Sequence, residues 1–396
     1  MIRAPFEFTI PGLIIIGPGA VDRLGETASG FGNRALLLSG RRALADSGAL
    51  GRLEASLAAS GVEAEVRRLD GEPDINTVDR LTTEARAAGC DLVVGAGGGS
   101  VLDAAKAVAG LLGNGGAARR YMELVGDGEP LAHPAVPMIA LPTTAGTGSE
   151  MTRNAVLACP ERKIKASMRS VHLLPRAVLV DPRLAVGLSP CVTASTGLDA
   201  LTQLMESCIS RRAGRLTIAL ALEGIELVGH WLDRACSAGD DLEARENMAR
   251  AALLSGITLA HAGLGAAHGI AGPLGGRIAV PHGVACARLL PPTLETNLRA
   301  LAERDPASPS VERLDRACSC LLGRTPGTVQ DTVAAAAAWI RDVCNRMEIP
   351  GLTTFGLETG DLVPLAVAAR QASSMKANPV PLTELEVVGI ITSAMT

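Results

Sequence analysis

The stretch Asp91-Leu92-Val93-Val94-Gly95-Ala96-Gly97-Gly98-Gly99-Ser100-Val101-Leu102-Asp103-Ala104-Ala105-Lys106 decides how the chain folds. A short apolar, β-branched run leads into three glycines and then into an alanine-rich segment of helical periodicity, the pattern of a strand, a tight turn and a helix. The first N–H groups of such a helix have no carbonyl partner. Together with the positive end of the helix dipole they attract an anion, and glycine lets a phosphate approach the backbone with no Cβ in the way. The same turn also serves simply to pack a helix against a sheet, and this stretch alone leaves both readings open.

Outward from it, short apolar runs alternate with helical segments. Ala35 to Leu38, Val62 to Val66, Leu92 to Val94 and Val136 to Leu141 read as strands; Leu50 to Ala59 and Ile75 to Ala88 read as helices. This rhythm predicts a parallel sheet with helices on its faces, whose ligands sit beyond the carboxyl ends of the strands. The run ending at Leu141 enters Pro142-Thr143-Thr144-Ala145-Gly146-Thr147-Gly148-Ser149-Glu150, a loop whose hydroxyls and glycines suit a ribose or phosphate edge. A two-stranded interlude is expected over Ala155 to Ala158 and Lys163 to Ser167, then a strand Ala177 to Val180 before Asp181-Pro182. After about Leu188 long alanine- and leucine-rich segments take over, among them Thr196 to Ile209, Arg215 to Leu232, Asp241 to Ala260 and Thr332 to Arg346. The expected organisation is an α/β domain over 1–187 and an all-helical domain over 188–396.

Composition narrows the function. A chain of 396 residues exceeds what one core usually serves, and 47% hydrophobic against 20% charged residues describes a globular protein with ample core. A net charge of −4 without like-charge blocks gives no support to a nucleic-acid surface. Apolar runs are short, and Met1-Ile2-Arg3-Ala4-Pro5-Phe6-Glu7 lacks a signal-peptide pattern, so a cytoplasmic protein without membrane spans is expected. Nine scattered cysteines, of which only Cys318 and Cys320 are close, read as reduced residues and not as a disulfide framework or zinc site. Aromatics at 2% argue against base- or sugar-stacking clefts.

In the helical half, Asp199 and Gln203 stand four apart, on one helix face. His268 and His282 lie among glycines that permit tight turns. One carboxylate, two imidazoles and an amide oxygen would suit Fe²⁺ or Zn²⁺ with a position left for a substrate oxygen. Each of these residues equally suits a structural role, and periodicity does not choose.

Taken together, Gly97-Gly98-Gly99-Ser100 with Asp103 and Lys106, Pro142 to Glu150, Asp181-Pro182, Gly197-Leu198-Asp199-Ala200-Leu201 and Pro281-His282-Gly283-Val284 resemble the group III, or iron-containing, alcohol dehydrogenase family. The motifs span most of the chain, and their order and spacing are highly specific. The resemblance implies the dehydroquinate synthase-like fold, a dinucleotide-binding α/β domain and a helical domain with the active site between them. It also implies hydride transfer between NAD(P)H and an aldehyde or ketone, and a homo-oligomer. Gly97, Gly98, Gly99 and Ser100, with Asp103 in the same motif, would then hold the pyrophosphate, and Thr143, Thr144 and Thr147 would line the cofactor's other side. Asp199, His268 and His282 match three metal ligands of the family. Gln203 stands where the fourth ligand is a histidine, and Gly272 where many metal-dependent relatives carry a histidine near the nicotinamide.

Two mechanisms follow. In one, Asp199, His268, His282 and Gln203 hold Fe²⁺ or Zn²⁺, which polarises the carbonyl. In the other the site is metal-free, resembling the maleylacetate reductases, with His268 or His282 as proton donor. The survival of three ligands together favours the metal. A lyase resembling dehydroquinate synthase is disfavoured by the lack of its richer charged substrate site, and a non-catalytic nucleotide binder is the remaining alternative. For the cofactor, Ser39-Gly40-Arg41-Arg42 presents no carboxylate to the adenosine ribose and offers two arginines, which points to NADP(H) over NAD. The alternative is that Arg41 and Arg42 are solvated helix-start residues. Arg153, Lys163, Lys165 and Arg169 hint at an anionic substrate, or form a solvated basic face.

Overall fold

Strand β4 (Leu92–Gly97) is buried along its whole length, as an unbroken apolar run requires of a strand covered on both faces. It is central to a six-stranded, all-parallel sheet in the order β1-β8-β5-β4-β2-β3. The other members are β1 (Leu13–Ile16), β2 (Arg34–Gly40), β3 (Glu63–Leu69), β5 (Met138–Pro142) and β8 (Ala177–Val180). The computed structural model describes residues 6–162, 164–324 and 326–396.

Side chains alternate across β2: Leu36 and Leu38 enter one core and Leu37 the other, the two-residue period of a strand. Helices cover both faces, α1 (Leu24–Ser29), α2 (Ala43–Asp46), α3 (Ala49–Ala59), α4 (Ile75–Ala87), α5 (Gly99–Asn114) and α6 (Ala118–Tyr121). The expected two-stranded interlude is the antiparallel pair β6 (Asn154–Cys159) and β7 (Ile164–Arg169); its expected first residue, Lys163, lies outside the described residues, as do Met1, Ile2, Arg3, Ala4 and Pro5. Strand β1 was not anticipated: four apolar residues without alternation carry little signal, and its place is set by parallel pairing to β8.

From Pro190 onward the described residues hold helices and no strand. These are α7 (Pro190–Ile209), α8 (Arg215–Ser237), α9 (Leu242–Ala262), α10 (Ala266–Arg277), α11 (His282–Arg304), α12 (Pro309–Leu322), α13 (Val329–Arg346), α14 (Leu362–Gln371) and α15 (Glu384–Ser393). Helix α9 packs on both halves, with Ala244, Met248 and Ala251 in the helical core and Leu253 and Ile257 in a core on the sheet. The segment read as tight turns around His268 and His282 is instead the helix α10 and the start of α11. Glycine and Pro273 disfavour a helix interior, but burial of Ala267, Ile270, Ala271 and Leu274 in the helical core outweighs that local preference. No single helix among the described residues is long and apolar enough to cross a membrane.

Candidate active site

Because all six strands run parallel, their carboxyl ends share one edge. The chain leaves β2 for β3 on one side and returns to β4 on the other, so the sheet order reverses between β2 and β4, where such sheets open a crevice. Ser39, Gly40 and Arg41 end β2 there, beside Gly97, Gly98, Gly99 and Ser100 at the end of β4. Helix α5 starts behind Gly98, which offers no side-chain cap, so its first-turn N–H groups face the crevice without a protein side chain to cap them. The loop after β5 closes the other side, its Thr143 N–H donating to the Gly97 carbonyl at 3.1 Å. A Cβ on Gly99 would come within 2.8 Å of Thr147, and one on Gly98 within 3.4 Å of Thr144 Oγ1, so the two glycines permit the loops to meet.

Two motif residues are occupied structurally. Lys106 is fully buried; its ammonium lies 2.9 Å from Asp103 and donates to the Ser149 carbonyl, Thr152 Oγ1 and the Asn154 carbonyl. Asp103 also accepts from Ser149 Oγ at 2.5 Å and from the Val156 N–H at 3.1 Å. These bonds tie the glycine helix to the following loop and hairpin. Arg41 is exposed and faces Asp70 at 3.1 Å. Arg153, Lys165 and Arg169 each face a carboxylate, Glu7, Glu72 and Glu123, so the basic cluster is not a set of free cations.

The loop after β5 also reaches the helical half. A Cβ on Gly146 would lie 2.8 Å from Thr196 in α7, and Gly148 meets Gly256 of α9 backbone to backbone. On α7, Asp199 faces His268 Nε2 at 3.3 Å and His282 Nε2 at 3.6 Å through Oδ1. That oxygen is buried and makes no hydrogen bond, a costly state for a carboxylate unless a cation completes it.

Glu206, two turns along the same face, orients His268. Its Oε2 sits 2.7 Å from His268 Nδ1, and its Oε1 accepts from the Ala267 N–H at 2.6 Å. Glu206 thus caps α10, whose N-cap Gly265 has no side chain, and directs His268 Nε2 at Asp199. Close packing aims the second imidazole: Gly283 lets α11 start against α7, since a Cβ there would stand 2.6 Å from the Ser195 carbonyl.

Cys286, one turn after His282 and fully buried, places its sulfur 3.6 Å from the Nε2 of both histidines. Asp199, His268, His282 and Cys286 present donor atoms all within 4.8 Å of one another. The Gln203 Oε1 accepts from the Ser255 hydroxyl at 2.6 Å. Gly272 faces open space, with nothing within 4 Å of a Cβ built on it.

The charges in this cluster are coupled. Burial raises the Asp199 carboxyl, but the two imidazoles and the Cys286 thiol outweigh it and hold the group below the usual carboxylate range. Burial lowers His268, yet the Cys286 sulfur with Asp199 and Glu206 carries it well above the ordinary imidazole value. His282 is raised to about 9, by the Cys286 sulfur first and by Asp199 against burial; its side chain is 43% exposed, so solvent tempers the shift. The metal-free cluster therefore holds protons that a cation would displace.

Sequence reasoning missed Glu206 and Cys286. Glu206 stands seven residues after Asp199 on a helix already recognised, a spacing that returns to the same face. Cys286 stands four after His282, a relation hidden while that segment was read as a turn.

The described geometry has close counterparts. Residues 11–182 match the family model of the iron-containing alcohol dehydrogenases, and residues 193–395 match the C-terminal model of the Fe-containing alcohol dehydrogenase family. A 1,3-propanediol dehydrogenase of Klebsiella pneumoniae is 35% identical over 399 residues, covering 98% of this chain and 98% of its own. The crystal structure of a 1,3-propanediol oxidoreductase superposes with a TM-score of 0.90 at 32% identity, over 99% of this chain and 100% of its own. A sulfoacetaldehyde reductase from Bifidobacterium kashiwanohense, solved with NAD+, has a TM-score of 0.84 at 27% identity, with both chains fully covered.

Proposed function

The chain belongs to the iron-containing alcohol dehydrogenase family, NAD(P)-dependent enzymes that interconvert alcohols with aldehydes or ketones, and from that premise we propose that it acts chiefly as an NADPH-preferring aldehyde reductase whose divalent ion is held by Asp199, His268 and His282. The observation that carries the metal assignment is the convergence of the buried Asp199 Oδ1, which makes no hydrogen bond, with two imidazole nitrogens at 3.3 and 3.6 Å. Iron or zinc bound there supplies Lewis-acid polarisation of the substrate oxygen, and the reduced nicotinamide supplies the hydride.

The chain's own residues set the stage for both. Gly99 and Ser100 offer uncapped helix N–H groups to the pyrophosphate, which Gly97 and Gly98 let approach the turn, with Ser39, Gly40, Thr143, Thr144 and Thr147 around the crevice. Asp103 serves the same motif from behind, by fastening α5 to Ser149. Arg41, released from Asp70, would meet a 2′-phosphate as a guanidinium fork does. Glu206 takes the Nδ1 proton of His268 in a hydrogen bond, so that in the neutral ring Nε2 is left with the lone pair that binds a metal. Gly272 leaves space beside the site for a carbonyl compound larger than ethanal. We assign residues 1–187 to the cofactor and 188–396 to the metal.

A second reading has its own support. Without a cation, His282 stays protonated at neutral pH because its pKa is raised to about 9, and it would serve as proton donor to the carbonyl oxygen. The working form is a homo-oligomer in the cytoplasm on this proposal. Its supports are the half-exposed Phe6, the exposed Leu13 on the sheet-edge strand β1, and nine cysteines of which none forms a disulfide.

Metal content of anaerobically purified protein, measured with NADPH oxidation on a panel of aldehydes before and after metal stripping, tests the assignment. Near-stoichiometric metal with activity lost on stripping and restored by Fe²⁺ or Zn²⁺ is the expected result. Undiminished turnover by stripped protein would replace it with the proton-donor reading.

A further inference from the structure

We infer that Cys286 is the fourth protein ligand of this centre, bound as a thiolate, so that the ion sits among one carboxylate, two imidazoles and one sulfur. The inference rests on the reading that the site holds a metal, and adds which donor completes it. Where the family places a fourth histidine on α7, this chain has Gln203, whose Oε1 accepts from Ser255. The replacement donor comes from a different helix, α11, where His282 and Cys286 stand four residues apart on one face.

The edge lengths of the cluster carry the argument. A tetrahedral ion with bonds of about 2.0–2.1 Å to N and O and about 2.3 Å to S requires N···O edges of about 3.3 Å and N···S edges of about 3.6 Å. The Asp199 oxygen lies 3.3 and 3.6 Å from the two imidazole nitrogens, and the Cys286 sulfur lies 3.6 Å from each of them. Hydrogen bonding explains only part of this arrangement. Hydrogen bonds to sulfur account for its two contacts with nitrogen, but they leave the Asp199 Oδ1 beside them without a hydrogen bond, which an ion shared by all four groups would complete. Cys286 is also fully buried and Asp199 Oδ1 makes no hydrogen bond, and sulfur, oxygen and the two imidazole nitrogens all lie within 4.8 Å of one another.

The consequence is chemical. Carboxylate and thiolate together neutralise a divalent charge, where one carboxylate with three imidazoles leaves a net positive centre. The ion is thereby held more tightly by a softer donor set, favouring zinc over ferrous iron, and is a milder Lewis acid.

Loading the metal-free protein with Co²⁺ under anaerobic conditions tests this through the electronic spectrum. The expected result is a near-ultraviolet thiolate-to-cobalt charge-transfer band that is absent from Cys286→Ser and present in Gln203→Leu. Metal affinity of Cys286→Ser should fall by at least the 10–100-fold that loss of an outer-shell partner costs. X-ray absorption of the zinc-loaded parent supplies a readout independent of any variant's folding, with one sulfur expected at about 2.3 Å. Bound cobalt without the band, a band that survives Cys286→Ser, or a zinc shell of N and O alone would overturn thiolate ligation while leaving the metal site standing. Failure to bind cobalt or zinc at all would overturn the metal reading, and this inference with it.

Discussion

Replacing Glu206 by glutamine should loosen the metal without unfolding the protein, and the structure gives the size of the effect. Glu206 accepts from the His268 ring at Nδ1, 2.7 Å away, and from the Ala267 N–H at 2.6 Å. A carboxylate can accept both; an amide has one accepting atom and one donating atom. If the Gln oxygen stays on Ala267, its NH₂ faces Nδ1–H, and relief comes only from the tautomer with the proton on Nε2, which removes the lone pair that binds a metal. If the amide turns over, the clash moves to the helix N–H. Loss of such an outer-shell carboxylate typically costs 10–100-fold in metal affinity, or about 1.4–2.7 kcal/mol. Glu206→Ala should cost more in another quantity: it leaves the Ala267 N–H and the His268 Nδ1 buried without a partner, at roughly 1–3 kcal/mol each. Chelator competition for Zn²⁺ measures the first effect and denaturant unfolding of the metal-free protein the second. A Glu206→Gln protein whose zinc affinity stays within about threefold of the parent would refute the orienting role.

Metal affinity should depend on pH with a definite sign: in the metal-free protein His282, raised to about 9, and His268, also raised, hold protons that the ion displaces, so affinity falls as pH drops below about 9, by more than about tenfold per unit where both imidazoles are protonated. Chelator competition across that range would contradict this by giving a flat line. Glu150 is buried and raised to about 7, burial outweighing Lys106, so its folded-state pKa exceeds the unfolded value and stability declines as pH rises from about 4.5 to about 7. Glu150→Gln should abolish that decline and gain up to about 3 kcal/mol at alkaline pH, read from urea midpoints at two pH values. Arg41→Ala should lower the NADPH-to-NADH ratio of kcat/KM by roughly 10–100-fold, with little stability change because the Arg41–Asp70 pair is exposed; equal losses for both cofactors would return Arg41 to a surface role.

Most of the α/β half was legible because its signals are local. The buried runs of β2, β4 and β5 and the glycine turn after β4 name themselves, and Asp241, which accepts from the N–H groups of Glu243 and Ala244, marks the start of α9 in sequence and structure alike. The start of α11, which carries His282, was not, because His282 follows Pro281 and precedes Gly283, residues that individually speak for a turn. Its helical state is a tertiary property, fixed by packing of Val284, Ala285 and Leu289 in the helical core. The same loss hid Cys286, since a spacing of four means adjacency only on a helix. Glu206 was hidden for a different reason: nothing in the spacing from Asp199 says that α10 will arrive with uncapped N–H groups at that point.

Gly148 and Gly256 meet with no side chain between them. One belongs to the threonine loop of the cofactor crevice, the other to the helix that packs on both halves. The separation between hydride donor and metal centre is therefore set by main chain against main chain, and is insulated from drift in the side chains around it. On the proposed roles, substrate range would change at Gly272 and cofactor choice at Arg41 with that separation unaltered. A single added methyl at 148 or 256, standing 2.4 or 2.2 Å from the facing main chain, would instead force the two backbones apart and alter it for every substrate at once.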